Sequence, residues 1–272
     1  MNKPLSKKII GVLRRTPLRR VLMAYRHRGI TADDVFLASY PRSGNTWLKS
    51  LISSCLFGEG LTNFSDKEND EMPIVGFHFN ARPLVHGTGR LIKTHEPYRK
   101  EYNKAIWIVR DPRDVLVSEY RLALRNQHFS GTLDEYTGLF VNKAIYAMAT
   151  WEEHTLSWIN SPIYNTGQML SLRFEALRAA PEVQLLRILE FLQITPTDEI
   201  VERAIRQNSI DMVAARHASY DKSFADPHAA SIPAINSGTA GGWRNTLSDY
   251  SKSELQKRFG RLMAQLGYDD AT

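Results

Sequence analysis

The stretch that decides the fold runs from Val35 to Lys49 and reads Val-Phe-Leu-Ala-Ser-Tyr-Pro-Arg-Ser-Gly-Asn-Thr-Trp-Leu-Lys. It opens with an apolar run that is typical of a buried strand, continues through a short Pro/Ser/Gly turn and restarts as a helix. A strand that ends in a tight turn at a helix start directs unpaired backbone N–H groups and the positive end of the helix dipole at one point. The stretch therefore predicts a loop that binds an anion such as phosphate.

Several side chains of this loop add hydrogen-bond donors to the same concavity. They are those of Arg42, Ser43, Asn45 and Thr46. The loop is not a Walker A sequence, because that motif needs two glycines and a lysine that residues 39–46 do not supply. The anion therefore need not be a nucleoside triphosphate.

Four segments of the chain, taken in order, resemble the motifs of the sulfotransferases that use 3′-phosphoadenosine 5′-phosphosulfate (PAPS). They are Tyr40–Trp47, which is close to the family's Tyr-Pro-Lys-Ser-Gly-Thr-Thr-Trp, then Lys93–His95, Arg110–Ser118 and Gly238–Asn245. One such motif alone is weak evidence, but four in order at compatible spacing are hard to produce by chance. The resemblance spans roughly residues 35–265 and implies an enzyme that moves a sulfuryl group from PAPS to a hydroxyl acceptor.

Alternating strands and helices predict an α/β, P-loop-like, three-layer fold with a central, mainly parallel sheet covered by helices on both faces. The predicted strands are 35–40, 90–93, 105–109 and 168–174. The predicted helices are 46–57, 112–125, 136–159, 181–193, 197–207 and 250–265. We expect a basic N-terminal helical segment, 1–30, and a single sulfotransferase domain, 31–272.

The catalytic candidates are His95, Lys93 and Arg42. His95 follows a predicted strand at the edge where ligands of parallel sheets bind, and histidine titrates near neutrality. The resemblance assigns it the role of general base, with His78 and His86 in reserve. Lys93 and Arg42 are expected to stabilise charge on the phosphosulfate and on the leaving phosphate. The commonest cytosolic pattern has lysine where Arg42 stands, and a planar guanidinium can contact two oxygens at once.

The resemblance also implies a set of residues that bind the donor nucleotide. They are Arg42, Ser43, Gly44, Asn45, Thr46, Trp47, Arg110, Ser118, Phe174, Ser209, Gly238, Thr239 and Arg244. Arg110 and Ser118 match the clamp for the 3′-phosphate, whereas Trp47, Phe174 and Ser209 are expected beside the adenine. The family usually carries Arg-Lys just before the last motif, where this chain has Asn236-Ser237. We therefore expect weaker nucleotide binding, with Arg244 and glycine N–H groups, that of Gly241 among them, as replacement donors.

The positive charge is concentrated at the N-terminus. The formal net charge is +6, and nine of the 35 basic residues precede the first acidic residue, Asp33. This distribution argues against a general nucleic-acid-binding surface. Apolar residues recur at helical spacing between Ile9 and Tyr25, interrupted by Pro17, and predict a short amphipathic pair of helices. Such a segment could lie on an anionic membrane surface or pack on the domain with a solvated basic face.

Composition limits the remaining classes. No group of cysteines, histidines or carboxylates has metal-ligand spacing, so no metal is expected. The single cysteine, Cys55, cannot form an internal disulfide, and no apolar run approaches the ~20 residues of a membrane span. We expect a cytoplasmic protein, with a peripheral membrane contact through residues 1–30 as an open alternative.

Two alternative functions remain at this point. One is a nucleotide kinase in which Arg42–Thr46 hold phosphates and Asp111 holds magnesium; the other is a noncatalytic nucleotide-binding adaptor at a membrane. The acceptor also stays open between a carbohydrate or glycolipid hydroxyl and a small alcohol or phenol. Residues 58–73 and 217–245 are predicted to be binding loops. The oligomeric state is not readable from the sequence.

Overall fold

The computed structural model describes residues 17–58, 72–84, 87–144, 148–209, 211–212 and 240–268, with side chains from Val21 onward. The helices are α1 Pro17–Arg26, α2 Asn45–Phe57, α3 Pro112–Arg125, α4 Leu133–Phe140, α5 Trp151–Ile159, α6 Phe174–Ala179, α7 Pro181–Phe191, α8 Asp198–Gln207 and α9 Asp249–Gln265, with a 3₁₀ turn at Gly242–Asn245. The strands are β1 Val35–Ser39, β2 Leu91–Thr94, β3 Lys104–Val109 and β4 Met169–Arg173.

The four strands form one parallel sheet in the order β2-β1-β3-β4. Ala38 of β1 lies opposite Thr94 of β2, and Ser39 lies opposite Ile108 of β3. The carboxyl ends of these three strands therefore meet at one edge. Ligands of open parallel sheets bind outside this edge.

Side chains alternate between two apolar cores on opposite faces of the sheet. Phe36 and Trp107 belong to one core, which also contains residues of α3, α4, α5 and α9. Leu37 and Ile106 belong to the other, which contains residues of α2, α7 and α8. Helices thus cover both faces, and the predicted three-layer fold is confirmed.

The predicted element bounds are mostly right, with one clear error. The four strands lie within one residue of their predicted positions at each end, and the helix predicted over 112–125 has those bounds. The single helix predicted over 136–159 is wrong, because the chain forms α4 and α5 there. Each starts with its own capping box, Thr132 with Glu135 and Thr150 with Glu153, in which side chains satisfy the first free backbone N–H groups.

Two further helices differ from the prediction. The short helix α6 follows β4 directly and was not predicted. Helix α1 begins at Pro17, which the prediction treated as an interruption; proline is well tolerated at the first helical position because its missing N–H has no helical acceptor there. The first half of the predicted N-terminal pair lies outside the described residues, as does most of the two predicted binding loops.

Candidate active site

The turn between β1 and α2 has the backbone of an anion-binding loop. Arg42 and Gly44 both have left-handed backbones, with φ of 68° and 94°. A Cβ added at Gly44 would lie 2.4 Å from Cδ2 of Phe174, so this position requires glycine. The first helical hydrogen bond runs from Leu48 N–H to Gly44 O, at 3.1 Å. The amides before Leu48 have no acceptor within the helix and are oriented to meet an anion.

Two polar side chains of the loop are buried and have different surroundings. The Ser43 hydroxyl is buried and has no hydrogen-bond partner among the described residues. The Asn45 amide nitrogen donates to Leu37 O at 3.1 Å and to Ser39 Oγ at 3.0 Å, which ties the helix start to β1. Asn45 therefore holds the shape of the loop, and its contact with a ligand stays a prediction, as does that of the half-buried Thr46.

His95 lies just past β2 and is held against the end of β1. Its Nδ1 lies 2.8 Å from Ser39 O and 3.4 Å from Ser39 Oγ. Because a carbonyl oxygen only accepts, Nδ1 carries the hydrogen, and the lone pair of the neutral ring is on Nε2. Ser39 was missed by sequence reasoning, although a small polar residue that closes an apolar strand beside the anion loop was a usable signal.

Lys93 lies in β2, the strand that leads to His95. It is the third residue of β2, is buried and pairs in register with Leu37 of the neighbouring β1. The anion loop follows β1 directly. Lys93 therefore lies in the strand beside the loop and His95 directly after that strand, at the ligand-binding edge of the sheet.

Arg110 and Ser118, which the sequence predicts at one phosphate, both contact Arg42 of the anion loop. The Arg42 Nε donates to Ser118 Oγ at 2.9 Å, and an Arg110 Nη1 hydrogen bond to Arg42 O is 3.0 Å long. Arg110 and Ser118 are both buried. Burial lowers the pKa of Arg110, while Asp114 and other nearby acidic groups oppose that shift. The three side chains join the end of β3 and helix α3 to the loop after β1.

The residues predicted beside the adenine lie around α2. Phe174 is buried against Gly44, and the Arg110 guanidinium carbon lies 4.3 Å from the centre of its ring. The Trp47 ring meets Phe174 edge-on at 6.1 Å, and its Nε1 donates to Asn208 O at 2.7 Å. The exposed Ser209 follows directly. Their contacts with a nucleotide stay predictions.

The last sequence motif is only partly described. Gly238 and Thr239 lie outside the described residues, as does the Asn236-Ser237 pair. The Gly241 N–H, expected at the phosphate, donates instead to Asp114 Oδ2 at 2.7 Å, and Trp243 N–H donates to Asp114 Oδ1 at 3.0 Å. Arg244 is exposed, with its guanidinium carbon 4.8 Å from the Trp243 ring centre.

Glu119 is a buried acid next to this cluster that sequence reasoning missed. Its Oε1 accepts a hydrogen bond from the Tyr136 hydroxyl at 3.1 Å. Burial raises the pKa of Glu119 to about 7, although Tyr136, Tyr40 and the charge of Arg42 counteract part of that rise. The usable signal was an acidic residue directly after Ser118 on a helix face that is otherwise apolar.

The reserve base and the proposed magnesium ligand are both engaged in structural contacts. His78 accepts from Gly76 N–H at Nδ1, at 3.1 Å, and its Nε2 lies 3.2 Å from Arg28 O. His86 lies outside the described residues. Asp111 caps α3 and binds the Arg113 guanidinium at 2.9 Å. The arrangement does not favour the kinase alternative, since the Asp111 carboxylate is already paired with the Arg113 guanidinium.

The described residues contain neither a metal-ligand cluster nor a membrane-spanning helix. Within the described ranges, no group of three or more histidine, cysteine, aspartate or glutamate side chains is arranged to hold a metal ion. Across the same part of the chain, none of the helices combines the length and apolar character needed to cross a membrane.

The fold and the site together define a class of protein. It is an α/β protein whose first strand is followed by a loop with anion-binding geometry, at the carboxyl edge of a parallel sheet. The sulfotransferase domain family matches residues 32–267, and the chain belongs to this family of sulfuryl-transferring enzymes.

Individual relatives are distant but cover most of the chain. Cytosolic sulfotransferase 13 of Arabidopsis thaliana is 24% identical over 262 residues, which cover 88% of this chain and 80% of that protein. Sulfotransferase 1B1 of Mus musculus is 27% identical over 239 residues, which cover 79% of this chain and 77% of that protein.

Solved structures of low sequence identity share the fold. A structure of mouse sulfotransferase SULT7A1 complexed with PAP has a TM-score of 0.65 at 20% identity and covers 92% of this chain and 94% of its own. Retinol dehydratase in a complex with retinol and PAP has a TM-score of 0.64 at 20% identity, with 90% and 86% covered.

Proposed function

We propose that this protein transfers a sulfuryl group from PAPS to a hydroxyl group of an acceptor. The observation that carries the proposal is the convergence of three parts at one sheet edge: the anion loop, His95 and the Arg110–Ser118 pair. The family supports the reaction type. Structural neighbours that were solved with PAP support the donor, because PAP is what remains of PAPS after transfer.

The donor groups of the site fit a nucleotide with anionic groups at two positions. The free amides at the start of α2 and the buried Ser43 hydroxyl suit the 5′-phosphosulfate. Arg110 and Ser118 suit the 3′-phosphate, since a guanidinium binds phosphate with paired hydrogen bonds. Arg42 connects the two sets of donors, because it belongs to the loop before α2, its carbonyl contacts Arg110 and its side chain contacts Ser118.

The chain supplies a base, charge stabilisation and orientation. PAPS supplies an already activated sulfuryl group. His95 Nε2 takes the proton of the acceptor hydroxyl, while its Nδ1–H bond to Ser39 O keeps the ring in one orientation. Lys93 and Arg42 stabilise negative charge on the leaving phosphate. As in phosphoryl transfer, positioning and charge stabilisation account for most of the catalysis.

The direct test measures transfer of labelled sulfate from PAPS to a panel of phenols, alcohols, sugars and glycolipids. We expect at least one acceptor to be sulfated without added metal. His95→Gln should lower the rate by about 10²-fold or more while PAP binding is kept. The matched control is His128→Gln, at an exposed histidine, which should leave the rate unchanged. Equal rates for wild type and His95→Gln would contradict the assigned base.

The exposed face of α1 supports a second proposal, that the protein is cytoplasmic and contacts a membrane through residues 1–30. Val21, Leu22 and Tyr25 are 64%, 48% and 62% exposed, and the sequence around them is strongly basic. Apolar and basic residues on one helix bind anionic bilayers. Sedimentation with phosphatidylserine-containing vesicles should show salt-sensitive binding that Val21→Ser with Tyr25→Ser weakens. No sedimentation at low salt would contradict the proposal.

A further inference from the structure

We propose that Glu96 is a positioning residue for His95 and that helix α1 holds it in place through Arg26 and His27. This inference rests on the proposed function, because His95 is the base in that reaction. It assigns α1 a role in the active site rather than a purely peripheral one. The argument begins with the contacts of the Glu96 side chain.

Both carboxylate oxygens of Glu96 are engaged by buried or half-buried groups. Oε1 lies 3.0 Å from Arg26 Nε. Oε2 lies 2.9 Å from His27 Nε2 and accepts a 3.1 Å hydrogen bond from the Tyr102 hydroxyl. Burial alone would raise the pKa of Glu96, but the hydrogen bond and charge of His27, together with Arg26, hold it below its usual value. Glu96 is therefore a charged anchor between α1 and the segment after β2.

His27 contacts both its own helix and the Glu96 carboxylate through its two ring nitrogens. Its Nδ1 lies 2.7 Å from Met23 O, and a carbonyl oxygen only accepts, so Nδ1 carries a hydrogen. Its Nε2 lies 2.9 Å from the Glu96 carboxylate. The same Nε2 lies 3.0 Å from the Tyr102 hydroxyl, which itself donates to Glu96 Oε2. The His27 ring therefore links the last turn of α1 to Glu96.

The backbone on either side of His95 is fixed by the same anchor. Glu96 N–H donates to Thr94 Oγ1 at 3.1 Å, and the Trp158 indole donates to Glu96 O at 3.2 Å. With the side chain of Glu96 also held, the residue after His95 cannot shift without breaking several contacts. The Nδ1–H bond to Ser39 O fixes the His95 ring only while the His95 backbone keeps its place relative to Ser39. Its orientation therefore depends on where Glu96 holds the backbone.

The test reads the tautomer of His95 directly, by nitrogen NMR of ¹⁵N-histidine-labelled full-length protein, with His95 assigned by the loss of its signals in His95→Gln. In the wild type we expect the Nδ1–H tautomer. In Glu96→Gln and in Arg26→Gln we expect that signature to be lost in favour of a mixture of tautomers. Arg26 is partly exposed, so Arg26→Gln remains informative where Glu96→Gln does not fold.

A matched control separates positioning from general destabilisation. Asp34→Asn removes another buried ion pair, the 2.6 Å contact with Arg90, and should lower the melting temperature while leaving the His95 tautomer unchanged. An unchanged tautomer in Arg26→Gln and in every folded Glu96 variant would overturn the inference. PAP binding, measured in parallel, should stay within about twofold, since the anchor does not contact the nucleotide loop. Failure of the wild type to bind PAP would count against the proposed function, while the tautomer would still test the role of Glu96.

Discussion

At the scale of single residues, burial disfavours the ionised form of the Glu119 carboxylate. Burial raises its pKa to about 7, against 4.5 for an ordinary glutamate. As pH rises between these values, the unfolded chain loses its proton while the folded protein keeps it, so the free energy of unfolding falls. Above pH 7 the burial of ionised Glu119 lowers the free energy of unfolding by its full amount, roughly 3 kcal/mol.

Replacing this acid should therefore stabilise the protein at high pH. Glu119→Gln keeps an acceptor for the Tyr136 hydroxyl and removes the ionisation. We expect the variant to be about 1–3 kcal/mol more stable than wild type at pH 8, with a flatter profile from about pH 5 to 7. Urea unfolding at a series of pH values measures both quantities. If Glu119→Gln keeps the wild-type fall in the free energy of unfolding with pH, another group causes that fall. Glu152→Gln, near the protein surface, is the control.

Gly44 offers a sharper test of the loop. Gly44→Ala combines a left-handed backbone with a Cβ 2.4 Å from the Phe174 ring, so Phe174 or the loop must move. We expect a loss of roughly 1–3 kcal/mol in stability and weaker PAP binding. Gly138→Ala, in the open on α4, is the control and should be neutral or slightly stabilising. Denaturant unfolding and calorimetry measure the two effects, and full PAP affinity in Gly44→Ala would argue against the loop as the binding element.

The sequence predicts which residues meet at the site better than it predicts what each one contacts. Arg110 and Ser118 were expected at one phosphate, and both contact Arg42 of the anion loop, which was expected at another. The inward turn of Asn45 onto Ser39 was not expected, because it depends on how the helix start packs on β1. Such side-chain directions depend on the tertiary surroundings, which a local motif does not contain.

At the scale of elements, helix starts explain the main error in the predicted structure. The periodic pattern from residue 136 to 159 reads as one helix, yet two Thr-Glu capping boxes start α4 and α5 separately. Capping boxes are visible in a sequence when Ser or Thr precedes Glu by three residues. Strand bounds were easier to predict because β1, β2 and β3 are short apolar runs buried on both faces.

The cap of α5 should contribute measurably to stability. Thr150→Ala removes the side-chain acceptor of the Glu153 N–H. We expect a loss of about 1 kcal/mol, while Thr150→Ser, which keeps the hydroxyl, should recover most of it. Thermal or urea unfolding measures the difference. If alanine and serine variants are equally stable, the capping box does not define this helix start.

At the scale of the whole molecule, the sheet order determines where the chemistry lies. Strands β2, β1 and β3 are neighbours, and His95, the anion loop and Arg110 each follow one of them. Motifs separated by some 70 residues of sequence therefore meet at one edge. No single motif encodes the order of the strands in the sheet. The sequence therefore predicts a parallel sheet, and the structure is needed to see which motifs lie next to each other.

The most direct test of the central claim is calorimetric titration of the full-length protein with PAP, beside ADP with magnesium. The account predicts metal-independent binding of PAP, preferred over ADP, that weakens about 10–100-fold in Arg110→Ala because a charge-assisted contact to phosphate is lost. The PAP affinity of Arg110→Lys should lie between those of the wild type and Arg110→Ala, since lysine keeps the charge without the paired hydrogen bonds. Preference for ADP with magnesium, or PAP binding that Arg110→Ala leaves unchanged, would contradict the proposed donor site.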